Sequence, residues 1–305
     1  MKKILVLGGG ADQADLILEL KTRGYYTILV DYYENPIAKS VADEHVQEST
    51  LDKEKVLEIA RDKRVENVIT ACTDQALLTV AYVAEKLGFK TQFSYQEALN
   101  ITNKTYMKKM MWEAGIPTSK FISVADSSAN ELGDLRFPLV VKPADCNGSY
   151  GIRKANTDVE LSDFIQKSLK VSRSNSAIVE EYVSGTEVGI DCYVSNGIPH
   201  ILMTNQVNKK DVNNSAFVIF QTYIPSDISF AAKMEVQRIA NLIVKTFKLD
   251  NTPLLIQTLV DERKVSVIEF AVRIGGAAKH RSIKEITGFD ILHAYVDSYL
   301  GITPH

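Results

Sequence analysis

Four apolar residues, Ile4 to Leu7, run directly into Gly8-Gly9-Gly10, and a helical pattern follows from about Ala14 to Arg23, with Gly24 as its stop. The alternation then repeats. Tyr26 to Val30 reads as a strand ending on Asp31, Lys53 to Lys63 as a helix, Asn67 to Ala71 as a strand, and Gln75 to Leu87 as an amphipathic helix closed by Gly88. Strands that alternate with helices of this length predict a parallel sheet covered by helices on both faces, because parallel neighbours need a crossover between them. This first α/β unit is expected to cover residues 1–95.

Beyond it the pattern changes. Asn103 to Gly115 reads as a lysine-rich helix stopped by Gly115-Ile116-Pro117. Strand and hairpin signals begin near Phe137 and include Pro138 to Pro143, Ser176 to Glu180, Gly189 to Val194 and Ile201 to Asn205. Asn208 to Ser215 is polar and reads as a mobile loop. A helix over Phe230 to Phe247 leads into strands Leu254 to Val260 and Lys264 to Phe270, joined through Asp261-Glu262-Arg263, and a further helix is expected over Leu292 to Leu300. A chain of 305 residues has room for two or three domains.

The net charge of −3 argues against a dedicated nucleic-acid or membrane-surface binder. No apolar run reaches membrane-spanning length. Cys72, Cys146 and Cys192 are odd in number and widely spaced, which indicates neither a disulfide framework nor a zinc site. Met1-Lys2-Lys3 runs into a short strand rather than a long apolar segment, so no signal peptide is read and a cytoplasmic protein is expected.

The chemistry is suggested by four pieces. The strand Val265 to Glu269 ends on a carboxylate, with Arg273 four residues on and Gly275-Gly276 after it. That arrangement suits Mg²⁺ held against a phosphate, since magnesium takes oxygen ligands shared with phosphates and arginine grips phosphoryl oxygens in a fork. Gln257 lies on the neighbouring strand and would share a sheet face with Glu269, or would be an ordinary surface residue if that face were solvated. Lys142 closes an apolar strand, where it needs either a partner such as phosphate or a path for its head to water. Asp145 to Ile152, with Gly148, Ser149 and Gly151, is either an anion-cradling loop or a plain hairpin turn. Ile178 to Glu187 could offer backbone groups to an adenine edge and a carboxylate to ribose hydroxyls, or could be a solvated strand edge. Gly8-x-Gly10 followed by Asp31 invites a dinucleotide reading, but Gln13 stands where the third glycine belongs. Asp74 faces the same strand-end groove or caps the helix beginning there.

In this order the pieces resemble the ATP-grasp superfamily, and Asn103-Lys104-Thr105 with Gly115-Ile116-Pro117-Thr118 is similar to its opening motif. The resemblance implies a pre-ATP-grasp α/β domain over 1–95 and a two-lobed α+β ATP-grasp domain over 96–305, with a small lobe of about 104–178 and a large lobe of about 179–305. It implies Lys104 and Lys142 on ATP phosphates, with Asn147, Gly148, Ser149 and Gly151 closing over them. Glu180, Glu181 and Val183 would hold adenine and Glu187 the ribose. Gln257 and Glu269 would bind Mg²⁺, or Mn²⁺ in its place, and Arg273 would act with Lys142 on the transferring phosphoryl group. The family's Glu-x-Asn-x-Arg reads Glu269-x-Ala271-x-Arg273 here, so a third metal ligand is replaced by a methyl group.

The implied function is an ATP-dependent ligase that activates a carboxylate as an acylphosphate for attack by an amine, with small-molecule substrates and a homodimer as one assembly. Relatives in the family often continue past the segment matching Gly288 to Ile291, so a further C-terminal domain is an open question. The alternatives are a bicarbonate-activating enzyme like carbamoyl-phosphate synthase or biotin carboxylase, a nucleotide-binding protein without turnover, and an NAD-dependent enzyme using Gly8 to Gly10. Arg281, Lys284 and His280 could meet an acidic substrate or form a solvated face. Lys209 and Lys210 could close over the site or stay in solvent.

Overall fold

The structure, a computed structural model, describes residues 1–125, 133–146, 150–211 and 217–302. The first unit follows the expected alternation: β1 (Lys3–Leu7), α1 (Ala11–Thr22), β2 (Tyr26–Asp31), β3 (Glu44–Gln47), α2 (Lys53–Lys63), β4 (Asn67–Thr70) and α3 (Asp74–Leu87). Its strands form a parallel sheet in the order β3-β2-β1-β4. β1 is buried from Ile4 to Leu7, as a central parallel strand must be when helices cover both faces. Asp52 caps α2 through a bond from the Lys55 N–H, and Gly88 ends α3 in the left-handed conformation.

Two helices, α4 (Tyr95–Thr102) and α5 (Lys104–Glu113), bridge to the second half. A capping box between Ser94 and Glu97 opens α4. Next come β5 (Phe121–Val124), β6 (Leu139–Pro143), β7 (Arg153–Ala155), α6 (Asp158–Val171) and β8 (Ala177–Glu181), with the strands in an antiparallel sheet ordered β5-β8-β6-β7. The larger antiparallel sheet follows: β9 (Thr186–Ser195), β10 (Ile198–Asp211), β11 (Phe217–Tyr223), α7 (Phe230–Phe247), β12 (Thr252–Asp261) and β13 (Lys264–Ala271), in the order β11-β10-β9-β12-β13. Val236, Ile239, Ile243 and Val244 of α7 form the apolar stripe that joins one core with Val188, Ile190 and Ile256 of this sheet. The chain ends its described course in α8 (Lys279–Thr287) and α9 (Ile291–Leu300).

Three features depart from the sequence reading. The lobe boundary expected at 178/179 falls inside β8, whose pairing with both β5 and β6 places it wholly in the smaller sheet. Asn208 to Asp211 is strand rather than loop: β10 continues through it to pair with β11, while 212–216 lie outside the described residues. The third concerns α8 and α9, which close the core of the first parallel sheet rather than that of the larger antiparallel one. Ile283, Ile291, Tyr295 and Tyr299 share a cluster with Leu5, Ile28 and Val68. The Tyr295 hydroxyl donates to the Thr70 carbonyl at 2.6 Å, and Arg23 pairs with Asp297 at 2.5 Å. Ile283 is fully buried in that cluster. Ile283→Ala is therefore expected to cost about 2–4 kcal/mol, read as a lower urea midpoint that includes the first unit's signal.

Candidate active site

Asn103 caps α5 by accepting the Thr105 N–H at 2.9 Å, which fixes Lys104 in the first turn. The Lys104 ammonium is buried, donates to the Cys146 carbonyl at 2.7 Å and lies 3.1 Å from Glu269. Burial works against its charge, but Glu269 outweighs it and raises the Lys104 pKa. One helical turn on, Lys108 is 1% exposed and sits 2.6 Å from Glu180. Lys142, at the end of β6, holds the other oxygen of the same carboxylate at 2.6 Å. Burial pushes Glu180 upward, yet Lys142 and Lys108 bring its pKa down to about 2. Glu180, which the sequence reading put on adenine, lines the cavity, and its carboxylate is held by two lysines and the Ser119 hydroxyl.

The metal-side pair depends on an irregularity. A regular hairpin beginning at Asp261 opposite Lys264 would set Gln257 against Ile268. A bulge between Gln257 and Thr258 advances the register, so Gln257 faces Glu269 and the two share a sheet face. Ala271, opposite Leu255, lies two residues along on that face and offers only its methyl group. Burial raises the Glu269 pKa, but Lys104 foremost, then Lys142 and Arg273, bring it below the ordinary carboxylate range. Among the described residues no group of three or more His, Cys, Asp or Glu side chains could hold a metal by itself. One carboxylate and one amide nonetheless fit Mg²⁺ if phosphates complete its shell, which is how magnesium is usually bound.

Arg273 is held across the interface with the first unit: Nε and Nη2 donate to Asp74 at 2.5 and 2.7 Å, and Nη1 to the Ile274 carbonyl at 2.9 Å. Asp74 stands in the first turn of α3 but binds the arginine with both oxygens. The chain then turns through Gly275 and Gly276 into Ala277 and Ala278, both in the left-handed region with φ of 60° and 55°. Such backbone is costly for residues with a Cβ. It is pinned by Asp12, which accepts the Ala278 N–H at 3.0 Å, and by Lys279, which bridges Asp191 and Asn205 at 2.8 Å each.

Between the two antiparallel sheets lies a cavity of about 530 Å³, within the range of small-molecule sites. Lys142, Glu180, Glu181, Val183 and Glu187 all line it. Glu181 accepts the Arg136 N–H at 3.1 Å. Gly185 approaches β12 so closely that a Cβ would meet the Val260 carbonyl oxygen at 2.9 Å. Lys209, on β10 rather than in a loop, pairs with Glu187 at 2.7 Å on the cavity wall. Gly151 packs against Pro143 with φ of +78°. Asn147, Gly148 and Ser149 lie outside the described residues.

Several other expectations resolve structurally. His280 and Arg281 pair with Asp15 of α1, and Lys284 pairs with Asp290, so the first two join helices and none of the three is unpartnered. The glycine turn of the dinucleotide alternative is filled from within. Pro36 occupies the space a Cβ on Gly9 would need, and the buried Gln13 amide donates to the Ala71 carbonyl and to Thr73. Sequence reasoning missed Lys108, Asp191 and Lys279. The signal for Lys108 was present, because positions i and i+4 of α5 share a helix face with Lys104. Burial raises all three cysteine thiols, which argues against a thiolate nucleophile.

A family profile described as the ATP-grasp domain matches residues 135–281. The formate-dependent phosphoribosylglycinamide formyltransferase of Ignicoccus hospitalis is 27% identical over 188 residues, covering 60% of this chain and 46% of that protein. The chain thus spans about half the length of such curated relatives. Among solved structures, an L-amino acid ligase from Bacillus licheniformis matches with a TM-score of 0.81 at 19% identity, over 98% of this chain and 74% of that one. Phosphoribosylglycinamide synthetase from Anaerococcus prevotii matches at 0.76 and 20% identity, over 99% and 76%. The parallel sheet and the two antiparallel sheets around a cavity agree with the folds of these structures, and residues 135–281 match the ATP-grasp domain.

Proposed function

We propose that the chain is an ATP-dependent ligase. A substrate carboxylate attacks the γ-phosphorus of ATP, the bond to ADP breaks, and the acylphosphate formed is displaced by an amine with release of phosphate. The observation that carries this reading is the convergence of charge around Glu269, next to the cavity that Lys142 lines. Glu269 feels Lys104, Lys142 and Arg273 together, and Lys142, on the cavity wall, has Glu180 as its single acceptor among the described residues. An ammonium has three donors, so Lys142 retains N–H groups for phosphate oxygens.

Catalysis here is positioning and charge neutralisation rather than covalent chemistry. Lys104 and Lys142 hold the phosphates, Glu181 and Val183 border the base, and Glu187 reaches the ribose once Lys209 releases it. On this reading Asn147, Gly148, Ser149 and Gly151 contact the phosphates. Gln257 and Glu269 would hold Mg²⁺, with Mn²⁺ as an alternative, and the metal when bound neutralises charge on the transferring group. Arg273, oriented by Asp74, meets that group. Small-molecule carboxylate and amine substrates, a homodimer as one assembly and a cytoplasmic setting complete the reading; no described helix is long and apolar enough to cross a membrane.

The test is ADP and phosphate release with Mg²⁺ and ATP over a panel of amino acids, small carboxylates and amines. ADP is expected only when a matched carboxylate is present. Ala271 motivates a second reading, a nucleotide-binding protein without turnover. Calorimetric ATP binding with no ADP from any panel member would favour it.

A further inference from the structure

Three buried groups at the cavity wall have an uneven arrangement. Lys108 donates to Glu180 Oε2 at 2.6 Å, to Thr118 Oγ1 at 2.8 Å and to Ser119 Oγ at 2.9 Å. Its three donors are thereby used, and it has nothing left for a ligand. Lys142 holds Glu180 Oε1 and has that one acceptor among the described residues. One carboxylate is thus shared by two lysines, a cluster with a net charge of one positive unit.

A single lysine against a buried carboxylate would be fixed in place but electrically cancelled, and inside a protein the cancellation is felt strongly. A second lysine on the far oxygen keeps the anchoring and restores the surplus charge. Packing alone gives no reason for the cluster, since buried ion pairs are often replaceable by apolar residues at no loss of stability. We propose that Lys108 is a positioning residue that sets the charge Lys142 presents to nucleotide phosphates by sharing Glu180 with it, an inference that rests on the ATP-binding reading above.

The groups facing Lys108 are Glu180 on β8, Lys142 on β6, Glu269 on β13, the Phe121 ring of β5 at 5.4 Å, and the hydroxyls of Thr118 and Ser119. Burial, with Lys142 adding to it, pulls the Lys108 ammonium down to about 8 against the pull of Glu180 and Glu269. Raising the pH through about 8 removes its proton and with it the surplus charge of the cluster.

The experiment is calorimetric titration of the full chain with MgATP and, separately, adenosine, using wild type, Lys108→Met, and Lys108→Met combined with Glu180→Gln. Lys108→Met is expected to weaken MgATP binding about tenfold or more while leaving adenosine unchanged. The double variant, which regains the net positive charge, is expected to recover most of the loss. A Lys108→Met protein that binds MgATP like wild type, or a double variant no better than the single, overturns the proposal. Wild-type affinity for MgATP should also fall as pH passes about 8, and a flat profile overturns the proposal even if the single variant fails to fold. If wild type binds no MgATP at any pH, the ligase reading itself fails. Wild-type binding with no effect of the variants removes only the role of Lys108.

Discussion

Under the proposed ligase reading, in which Glu269 and Gln257 hold the metal, Glu269→Ala is expected to lower ADP release about a thousandfold by removing the one carboxylate of that pair. The fold should survive. Glu269 is only partly buried, with 27% of its side chain exposed, and Lys104 keeps its bond to the Cys146 carbonyl. The stability cost, about 1.5–3 kcal/mol for a lost hydrogen bond to a charged group, stays below the roughly 5–15 kcal/mol of a typical native protein. Parallel measurement of ADP release and thermal unfolding separates the two effects. ADP release at the wild-type rate in the folded variant would remove Glu269 from the reaction.

Under the same proposal, which sets Arg273 on the phosphoryl oxygens in the transition state, Arg273→Met is expected to slow turnover about a thousandfold with little change in KM for ATP. Its partner bears on the interpretation. Asp74 holds one edge of the guanidinium with both of its oxygens, so Asp74→Asn, which keeps one acceptor, should give a milder loss of about tenfold in kcat. Steady-state kinetics in ATP for both variants checks the order. A loss confined to KM would make Arg273 a ground-state binding residue instead.

How much of this was legible depended on whether the signal was local. Lys142 was visible because an apolar strand ending on a lysine is costly without a partner, and the structure places it on Glu180. The hairpin carrying Gln257 and Glu269 was visible from its turn, but their shared face depends on a bulge that no residue pattern announced. Polar strand residues misled the reading of 208–211, because Lys209 faces a charged partner inside the site rather than water. Lys108 shows the limit of periodicity. Helix geometry places it beside Lys104, yet only the tertiary arrangement supplies the carboxylate and hydroxyls that make its burial tolerable. Asp74 likewise reads as a helix cap until Arg273 arrives from a distant segment. The alanine at 271, where the resembled motif carries asparagine, was legible at once, since it is a change of chemistry and not of place.

The docking of α8 and α9 on the first sheet has a consequence for how such a chain is born. The residues of β1 to β4 are synthesised well before Ile283, Ile291 and Tyr295, which complete their apolar core. The first sheet therefore completes its core only when the helices from the far end of the described chain are present. Slow codons or a stall between the two would lengthen the interval in which aggregation competes with folding.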